Sequence, residues 1–251
     1  MDARSSETFE RLSRAGAKRC APLLDRTHPI RYPRSPVLTS SIAKVSRSLV
    51  FLEIAKYGGE ELCGTGFAVS AAGLVATAQH LVVGARRIQA SLLGGRGTYR
   101  CEIVAAEKRT DLALLRVEKE GCRPVALYRG DPVAIGREVA FVGFPYADIF
   151  KPPLAMATRG IVGNRYALGE VEYYVVDAMC AEGMSGGPLF LAETGEVIGL
   201  VGSRFDPSRT RAKLRGLPEA VVDGLPKERT NLTFATAVEY LSALVSKHDA
   251  P

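Results

Sequence analysis

The chain has 251 residues, of which 47% are hydrophobic and 24% are charged. This composition excludes a disordered polar chain, and the length allows one large domain or two small lobes whose core needs neither disulfides nor a metal. The 25 glycines and 14 prolines favour short strands joined by tight turns over a helical bundle.

The net charge of +6 is concentrated in two segments of the chain. Residues 1–45 carry nine Lys or Arg and four Asp or Glu, a net charge of +5. Residues 204–229 carry seven Lys or Arg and four Asp or Glu, a net charge of +3, and the rest of the chain is slightly acidic. Solvated surface segments explain both clusters, so nucleic-acid binding through the basic arm is only a weak third hypothesis.

The cysteines are odd in number, widely spaced and without a CxxC pair, which favours neither a disulfide framework nor a zinc site. They are Cys20, Cys63, Cys101, Cys122 and Cys180. The N-terminus has no apolar signal region, so we expect a cytoplasmic protein. The uncharged stretch 62–85 is long enough to span a membrane, but its glycines predict two buried strands and a turn, and hence no membrane contact.

Short apolar runs separated by turn residues predict an all-β fold from about residue 46 onward. The first series of predicted strands covers 49–55, 66–70, 73–78, 87–93, 98–105 and 112–117. The second series covers 139–142, 157–162, 171–176, 188–191, 197–202 and 232–236. Two series of equal size, with no helices between their strands, indicate two packed six-stranded antiparallel β-barrels.

The predicted organisation is a basic, proline-rich N-terminal arm over 1–45 and one folded domain over 46–250. The first barrel is expected over about 46–128 and the second over about 129–236. Apolar side chains at helical spacing predict a C-terminal helix over 235–247. Residues 203–230 predict a long irregular loop. That loop and the arm are the candidate contacts for a protein partner or activator.

Three residue types in the predicted body can carry chemistry. Of the three histidines, only His80 belongs to that body, and it follows a predicted strand. Asp111 directly precedes the apolar run 112–115, and Ser185 lies in a glycine-rich turn that can expose its hydroxyl. Each residue alone has an ordinary structural interpretation: a core histidine, a turn aspartate and a glycine-serine turn.

Together the three residues predict nucleophilic catalysis. A serine hydroxyl reacts only when a base takes its proton, and an imidazole does this best when a carboxylate orients it. His80 and Asp111 fall in the first strand series and Ser185 in the second. A cleft between the two barrels would bring them together.

Several motifs resemble those of chymotrypsin-fold, trypsin-like serine proteases, most closely the HtrA (Deg) branch. In chain order they are GTGF at 64–67, TAQH at 77–80, DLALL at 111–115, VGFP at 142–145, TRGIV at 158–162, GMSGGPL at 183–189 and GEVIG at 195–199. The similarity spans about residues 48 to 246 and includes no PDZ-like segment.

The resemblance implies that Ser185 is the nucleophile, His80 the general base and Asp111 the residue that orients it. It also implies an oxyanion hole formed by the backbone N–H groups of Gly183 and Ser185, a protein or peptide substrate, and neither a metal nor an organic cofactor. The implied specificity pocket consists of Met179, Cys180, Leu200, Val201 and Gly202. These residues are uncharged, which predicts cleavage after small or medium apolar residues, although they could equally belong to the core.

Two residues depart from the family pattern. Met184 stands where Asn or Asp is usual, so the salt bridge that activates many digestive zymogens cannot form. Glu182 puts an acid beside the nucleophile.

Two other functions compete with the protease. The residues 183–187 also satisfy the GxSxG motif of α/β-hydrolases, but that fold needs a helix after the serine and the chain order Ser, acid, His. Here residues 188–191 predict a strand, which disfavours this alternative. The second alternative is a protease-like binding or scaffold module whose site is silent or latent.

Overall fold

The computed structural model describes residues 37–119, 122–204 and 231–249. The N-terminal arm, up to residue 36, lies outside the described residues. So does the predicted loop from residue 205 to residue 230. None of the helices in the described ranges combines the length and apolarity needed to cross a membrane.

Twelve strands form two closed antiparallel barrels within the described residues, which confirms the predicted fold class. Barrel 1 consists of β1 (Leu49–Lys56), β2 (Glu61–Ala68), β3 (Leu74–Ala78), β4 (Ala85–Leu92), β5 (Tyr99–Glu107) and β6 (Leu112–Val117). Barrel 2 consists of β7 (Glu138–Gly143), β8 (Met156–Leu168), β9 (Val171–Asp177), β10 (Pro188–Leu191), β11 (Val197–Arg204) and β12 (Leu232–Ala237). The strand order is β1-β2-β3-β6-β5-β4 in barrel 1 and β10-β11-β12-β9-β8-β7 in barrel 2.

Three helices accompany the barrels in the described ranges: α1 (Val37–Ser46), α2 (Gln79–Val82) and α3 (Val238–His248). The helix α1 was not predicted: residues 37–45 were assigned to the N-terminal arm, but they fold onto the body as part of this helix. It packs on the body through Val45, which is buried in the core, and through Leu38 and Ile42. This spacing of three and four residues places all three side chains on one helix face.

The C-terminal helix begins three residues later than predicted. The prediction started it at residue 235, but residues 235–237 belong to β12 and pair with β9 and β11. The helix buries Val238, Leu241, Leu244 and Val245 on one face, as the helical spacing predicted. Its late start follows from the backbone hydrogen bonds that two neighbouring strands offer to these residues.

Two strands differ from their predictions by more than two residues at one end. Residues 66–68 of the predicted strand 66–70 belong to β2, which begins at Glu61 because it pairs with β1 from Glu61 to Phe67 and which ends at Ala68. The predicted strand 157–162 is the first half of β8, which continues to Leu168 as a largely exposed hairpin with β9. The second half of β8, after Val162, has no buried residue and no apolar alternation, so a sequence pattern cannot identify it.

The larger of the two core clusters crosses from one barrel to the other. It combines barrel 1 side chains such as Phe67 and Leu114 with Phe190 and Leu200 of barrel 2 and with Leu241 of α3. A second cluster fills the interior of barrel 2. The hydrophobic effect therefore holds the two barrels together as well as filling each one.

The cysteines within the described residues lie in different parts of the fold. None of Cys63, Cys101, Cys122 and Cys180, the cysteines within the described ranges, forms a disulfide. Burial, and secondarily the Glu118 carboxylate, raises the pKa of the Cys101 thiol to about 12, so this thiol is neutral at physiological pH.

The segment 181–187 lies between β9 and β10 and contacts barrel 1. Gly186 has a φ of +85° and lies against β2 and β3. A Cβ atom at this position would stand 2.1 Å from the Thr65 carbonyl oxygen and 2.5 Å from Thr77 Oγ1. Only glycine fits here, because both the left-handed backbone and the space exclude a side chain.

We expect Gly186→Ala to lower the free energy of unfolding by about 2–5 kcal/mol, since it combines left-handed strain with overpacking against a backbone carbonyl. Gly136→Ala is the matched control: Gly136 has a φ of +87°, but nothing lies within 4 Å of its Cβ position. The control should therefore lose only about 1–2 kcal/mol. Urea unfolding followed by circular dichroism measures both, and equal losses would contradict the packing argument.

Candidate active site

His80 and Asp111 lie at the same end of two neighbouring strands of barrel 1. His80 is in α2, directly after β3, and Asp111 directly precedes β6. The two strands pair antiparallel, with Ala78 opposite Leu112. Antiparallel pairing therefore places the residues after β3 beside the residue before β6, although they are 31 positions apart in the sequence.

Two hydrogen bonds fix the imidazole of His80 against the carboxylate. Asp111 Oδ2 lies 2.7 Å from His80 Nδ1, and the His80 backbone N–H donates to Asp111 Oδ1 at 2.9 Å. Because an ionised carboxylate can only accept, Nδ1 is the protonated nitrogen of the neutral ring, and Nε2 keeps its lone pair. The His80 side chain is 45% exposed, whereas that of Asp111 is 28% exposed. The ring is thus oriented from the protein side and open toward solvent.

The backbone around Asp111 is held from both barrels. Asp111 has a φ of +54°, a left-handed conformation that aspartate tolerates better than most residues. Its carbonyl oxygen accepts a 3.0 Å hydrogen bond from Gln79 N–H, and Thr236 Oγ1 of β12 donates to the preceding carbonyl, that of Thr110, at 2.8 Å. Gly202 of β11 faces the carboxylate, since a Cβ there would lie 3.4 Å from Asp111 Oδ2.

Ser185 is half-buried in the segment 181–187, which lies against barrel 1. Its carbonyl oxygen accepts a 3.1 Å hydrogen bond from Thr65 N–H of β2. The Cβ position of the next residue, Gly186, is 3.1 Å from the backbone nitrogen of Ala78, two residues before His80. Within the part of the chain that the structure describes, Ser185 Oγ makes no hydrogen bond.

The peptide units around Gly183 are held by hydrogen bonds that fix their orientation. The Glu182 carbonyl accepts from Tyr146 N–H at 2.9 Å, and the Gly183 carbonyl accepts from Thr65 Oγ1 at 2.7 Å. The Met184 carbonyl accepts from Gly187 N–H at 3.0 Å. The C=O and N–H of a trans peptide point in opposite directions. The Gly183 and Ser185 N–H groups therefore point away from Tyr146 N–H and Gly187 N–H, the donors that hold the Glu182 and Met184 carbonyls.

The Gly183 and Ser185 N–H groups differ from those of the neighbouring residues in their hydrogen bonding. The N–H groups of Met184, Gly186 and Gly187 donate to the carbonyls of Ala181, Val201 and Met184. Among residues 37–119, 122–204 and 231–249, neither Gly183 N–H nor Ser185 N–H has an acceptor. Gly183 reaches this arrangement with a φ of +90°. Two nearby donors without partners can bind an anion or a polarised oxygen.

The five residues of the predicted specificity pocket have different environments. Met179 is 53% exposed, whereas Cys180, Leu200, Val201 and Gly202 are buried. Leu200 packs in the core shared by the barrels, and Val201 packs with Cys180 inside barrel 2. Successive side chains of a strand point to opposite faces, so Leu200 and Val201 cannot line one pocket with their side chains.

Three residues that organise this site were not predicted from the sequence. Thr65 is completely buried and bonds to the segment 181–187, Thr236 bonds beside Asp111, and Tyr146 bonds to the Glu182 carbonyl. For Thr65 there was a signal, because it lies in the GTGF motif. Thr236 is 126 positions from its partner, Thr110, and nothing in the sequence connects the two.

A family model described as the trypsin-like peptidase domain matches residues 64–200. The mitochondrial serine protease HTRA2 of Bos taurus is 33% identical over 184 residues, which are 68% of this chain and 40% of that protein. A protein of Halomonas elongata named "Probable periplasmic serine endoprotease DegP-like" is 32% identical over 148 residues, which are 58% of this chain and 30% of that protein. The chain thus matches less than half the length of these two relatives.

Solved structures have the same fold. The HtrA-type protease AlgW with a tripeptide superposes with a TM-score of 0.67 at 22% identity, over 84% of this chain and 63% of that one. A serine endoprotease of Yersinia pestis superposes with a TM-score of 0.65 at 21% identity, over 86% of this chain and 67% of that one. With the matching family model and these HtrA-type relatives, the double barrel identifies this chain as a member of the trypsin-like peptidase family.

Proposed function

We propose that this chain is a serine endopeptidase in which Ser185 attacks the peptide carbonyl, His80 is the general base and Asp111 orients His80. The observation that carries the proposal is the pair of hydrogen bonds from His80 to Asp111, at 2.7 and 2.9 Å, beside the segment 181–187, here called the serine loop. In this loop, Gly183 N–H and Ser185 N–H have no acceptor among the described residues. The relatives that are named serine proteases support the same activity.

The proposed reaction proceeds through an acyl-enzyme. His80 Nε2 takes the proton of Ser185 Oγ as this oxygen bonds to the substrate carbonyl carbon, and the carbonyl oxygen becomes negative. His80 then gives the proton to the leaving amine as the C–N bond breaks. Water, deprotonated by the same Nε2, attacks the ester, and the departing Ser185 Oγ regains a proton. Asp111 stabilises the imidazolium without itself becoming protonated.

The oxyanion hole of this proposal consists of Gly183 N–H and Ser185 N–H. Their orientation is set before substrate binds, because neighbouring carbonyls are already engaged by Tyr146, Thr65 and Gly187. Preorganised donors need no rearrangement when the negative charge develops, and one such donor is worth about 2.7–4 kcal/mol in the transition state.

The hydrogen bond from Ser185 Oγ to His80 is the one part of the triad that the described residues do not form. Catalytic hydrogen bonds are often long in the absence of substrate and tighten in the Michaelis complex. The His80 side chain is 45% exposed, so its solvent side is not fixed by packing.

The proposed substrates are proteins or peptides with a small or medium apolar residue before the scissile bond. Of the residues predicted to line the specificity pocket, Met179 is an exposed apolar side chain, and Cys180 and Val201 belong to the apolar core of barrel 2. An uncharged, largely apolar lining disfavours a charged side chain, which would lose its hydration without gaining a partner.

The first test is covalent labelling. A fluorophosphonate probe should label the wild-type chain, and the Ser185→Ala variant should lose both labelling and casein hydrolysis, because the attacking oxygen is gone. Ser246→Ala is the matched control, since Ser246 is an exposed serine of α3, and it should label like the wild type. Labelling that persists in Ser185→Ala refutes the nucleophile. No labelling of the wild type favours the silent binding module.

The second test concerns the orienting carboxylate. Asp111→Asn should lower kcat about 10⁴-fold, because an amide NH₂ in place of Oδ2 would favour the wrong tautomer of His80. Asparagine also tolerates the left-handed backbone of this position, so the fold should be retained. The exposed Asp131, changed to Asn, is the control and should keep the wild-type kcat. A kcat within a factor of ten of wild type would remove Asp111 from the mechanism.

The third test is a cleavage profile. A peptide library incubated with the wild type should be cut mainly after Ala, Val, Leu or similar residues, and the Ser185→Ala protein should give no cleavage. Mass spectrometry of the products identifies the bonds. A preference for Lys, Arg, Asp or Glu before the cut would show that the uncharged pocket does not set the specificity.

A further inference from the structure

Thr65 is a residue of barrel 1 that hydrogen-bonds to Gly183 and Ser185. It lies in β2 of barrel 1, is completely buried, and connects that barrel to the serine loop of barrel 2. Its backbone N–H donates to the Ser185 carbonyl at 3.1 Å, and its own carbonyl accepts from Thr77 Oγ1 at 2.8 Å. Its hydroxyl makes two further hydrogen bonds to barrel 2. A residue without a side-chain hydroxyl at this position could not make them.

The direction of the hydroxyl proton follows from its partners. Phe144 N–H lies 3.0 Å from Thr65 Oγ1 and can only donate. The hydroxyl proton is therefore available for the second partner, the Gly183 carbonyl oxygen at 2.7 Å, which can only accept. One side chain thus completes both hydrogen bonds with no alternative arrangement, in a region without water access.

We infer that Thr65 is a positioning residue that holds the oxyanion hole in its active orientation. This inference rests on the proposed protease function. The Thr65 hydroxyl fixes the peptide unit that follows Gly183, and the Thr65 N–H fixes the one that follows Ser185. Tyr146 N–H fixes the unit that precedes Gly183. With both flanking units held, Gly183 N–H cannot turn away from the substrate carbonyl.

The hydroxyl acts on the transition state more than on substrate binding. Thr65 itself is buried beneath the serine loop and cannot touch a substrate. Without its hydroxyl, the Gly183 carbonyl loses its only side-chain donor in the described residues, and the peptide unit can rotate. This unit lies between the two units that carry Gly183 N–H and Ser185 N–H, so its rotation shifts both donors away from the developing oxyanion, which lowers kcat with little change in KM.

The experiment compares Thr65→Val, which keeps the shape and removes the hydroxyl, with Thr65→Ser, which keeps the hydroxyl. On a peptide from the cleavage profile, Thr65→Val should lower kcat about 10- to 100-fold with KM changed less than about threefold. Thr65→Ser should retain kcat within about threefold of wild type.

The matched control is Thr233→Val. Thr233 is also fully buried, and its Oγ1 donates to a backbone carbonyl, that of Ala178, at 2.6 Å, but within the described residues its hydroxyl makes no hydrogen bond to residues 181–187. Both valine variants should show a similar fall in melting temperature, and only Thr65→Val should lose kcat. All variants are assayed at a temperature where circular dichroism shows them folded.

If Thr65→Val does not fold, Thr65→Cys decides, because a thiol keeps the volume and is a weak donor. Its kcat should fall more than threefold below that of Thr233→Val. The inference is overturned if the folded Thr65 variant keeps the kcat of Thr233→Val, or if Thr65→Ser loses as much as Thr65→Val. The wild-type and Ser185→Ala proteins are measured in the same series. Hydrolysis that does not depend on Ser185 would refute the proposed function itself.

Discussion

The close contact between the serine loop and barrel 1 is the constraint on which the rest of the site depends. His80 and Asp111 belong to barrel 1, and Ser185 belongs to barrel 2. These groups can cooperate only if the backbone of the loop lies directly against strands β2 and β3. Gly186 makes this possible, because its Cβ position is 2.1 Å from the Thr65 carbonyl oxygen. A side chain here would separate the two halves of the site.

The two halves are built in different ways. The His80–Asp111 pair depends on the register of one barrel, since the pairing of Ala78 with Leu112 places His80 beside Asp111. The orientation of Gly183 N–H and Ser185 N–H depends instead on hydrogen bonds from β2, from the segment after β7 and from within the loop itself. A register within a closed barrel is hard to shift, because a slip would turn its buried side chains outward. The loop has no such protection, and its geometry needs buried polar partners such as Thr65.

Burial explains which predictions from the sequence succeeded. The five residues of β3 are all buried, and five of the six residues of β6 are, so their apolar runs identified them within one residue. The second half of β8, in which no residue after Val162 is buried, was missed. The same principle governs residues 235–237, where pairing with β9 and β11 overrode a helical pattern. Local patterns report burial, and they do not report which neighbour offers hydrogen bonds.

The sequence alone determined the all-β class, the two barrels and the motifs around His80, Asp111 and Ser185, because apolar periodicity and glycine positions are local properties. Only the tertiary structure decided that Asp111 holds His80 through both carboxylate oxygens, and that Thr65 and Thr236 support the site from distant strands. It also separated the Leu200 and Val201 side chains between two core clusters. These facts depend on barrel closure and on the contact between barrels, which join residues as distant in the sequence as Thr110 and Thr236, 126 positions apart. A sequence pattern carries no information on such pairs.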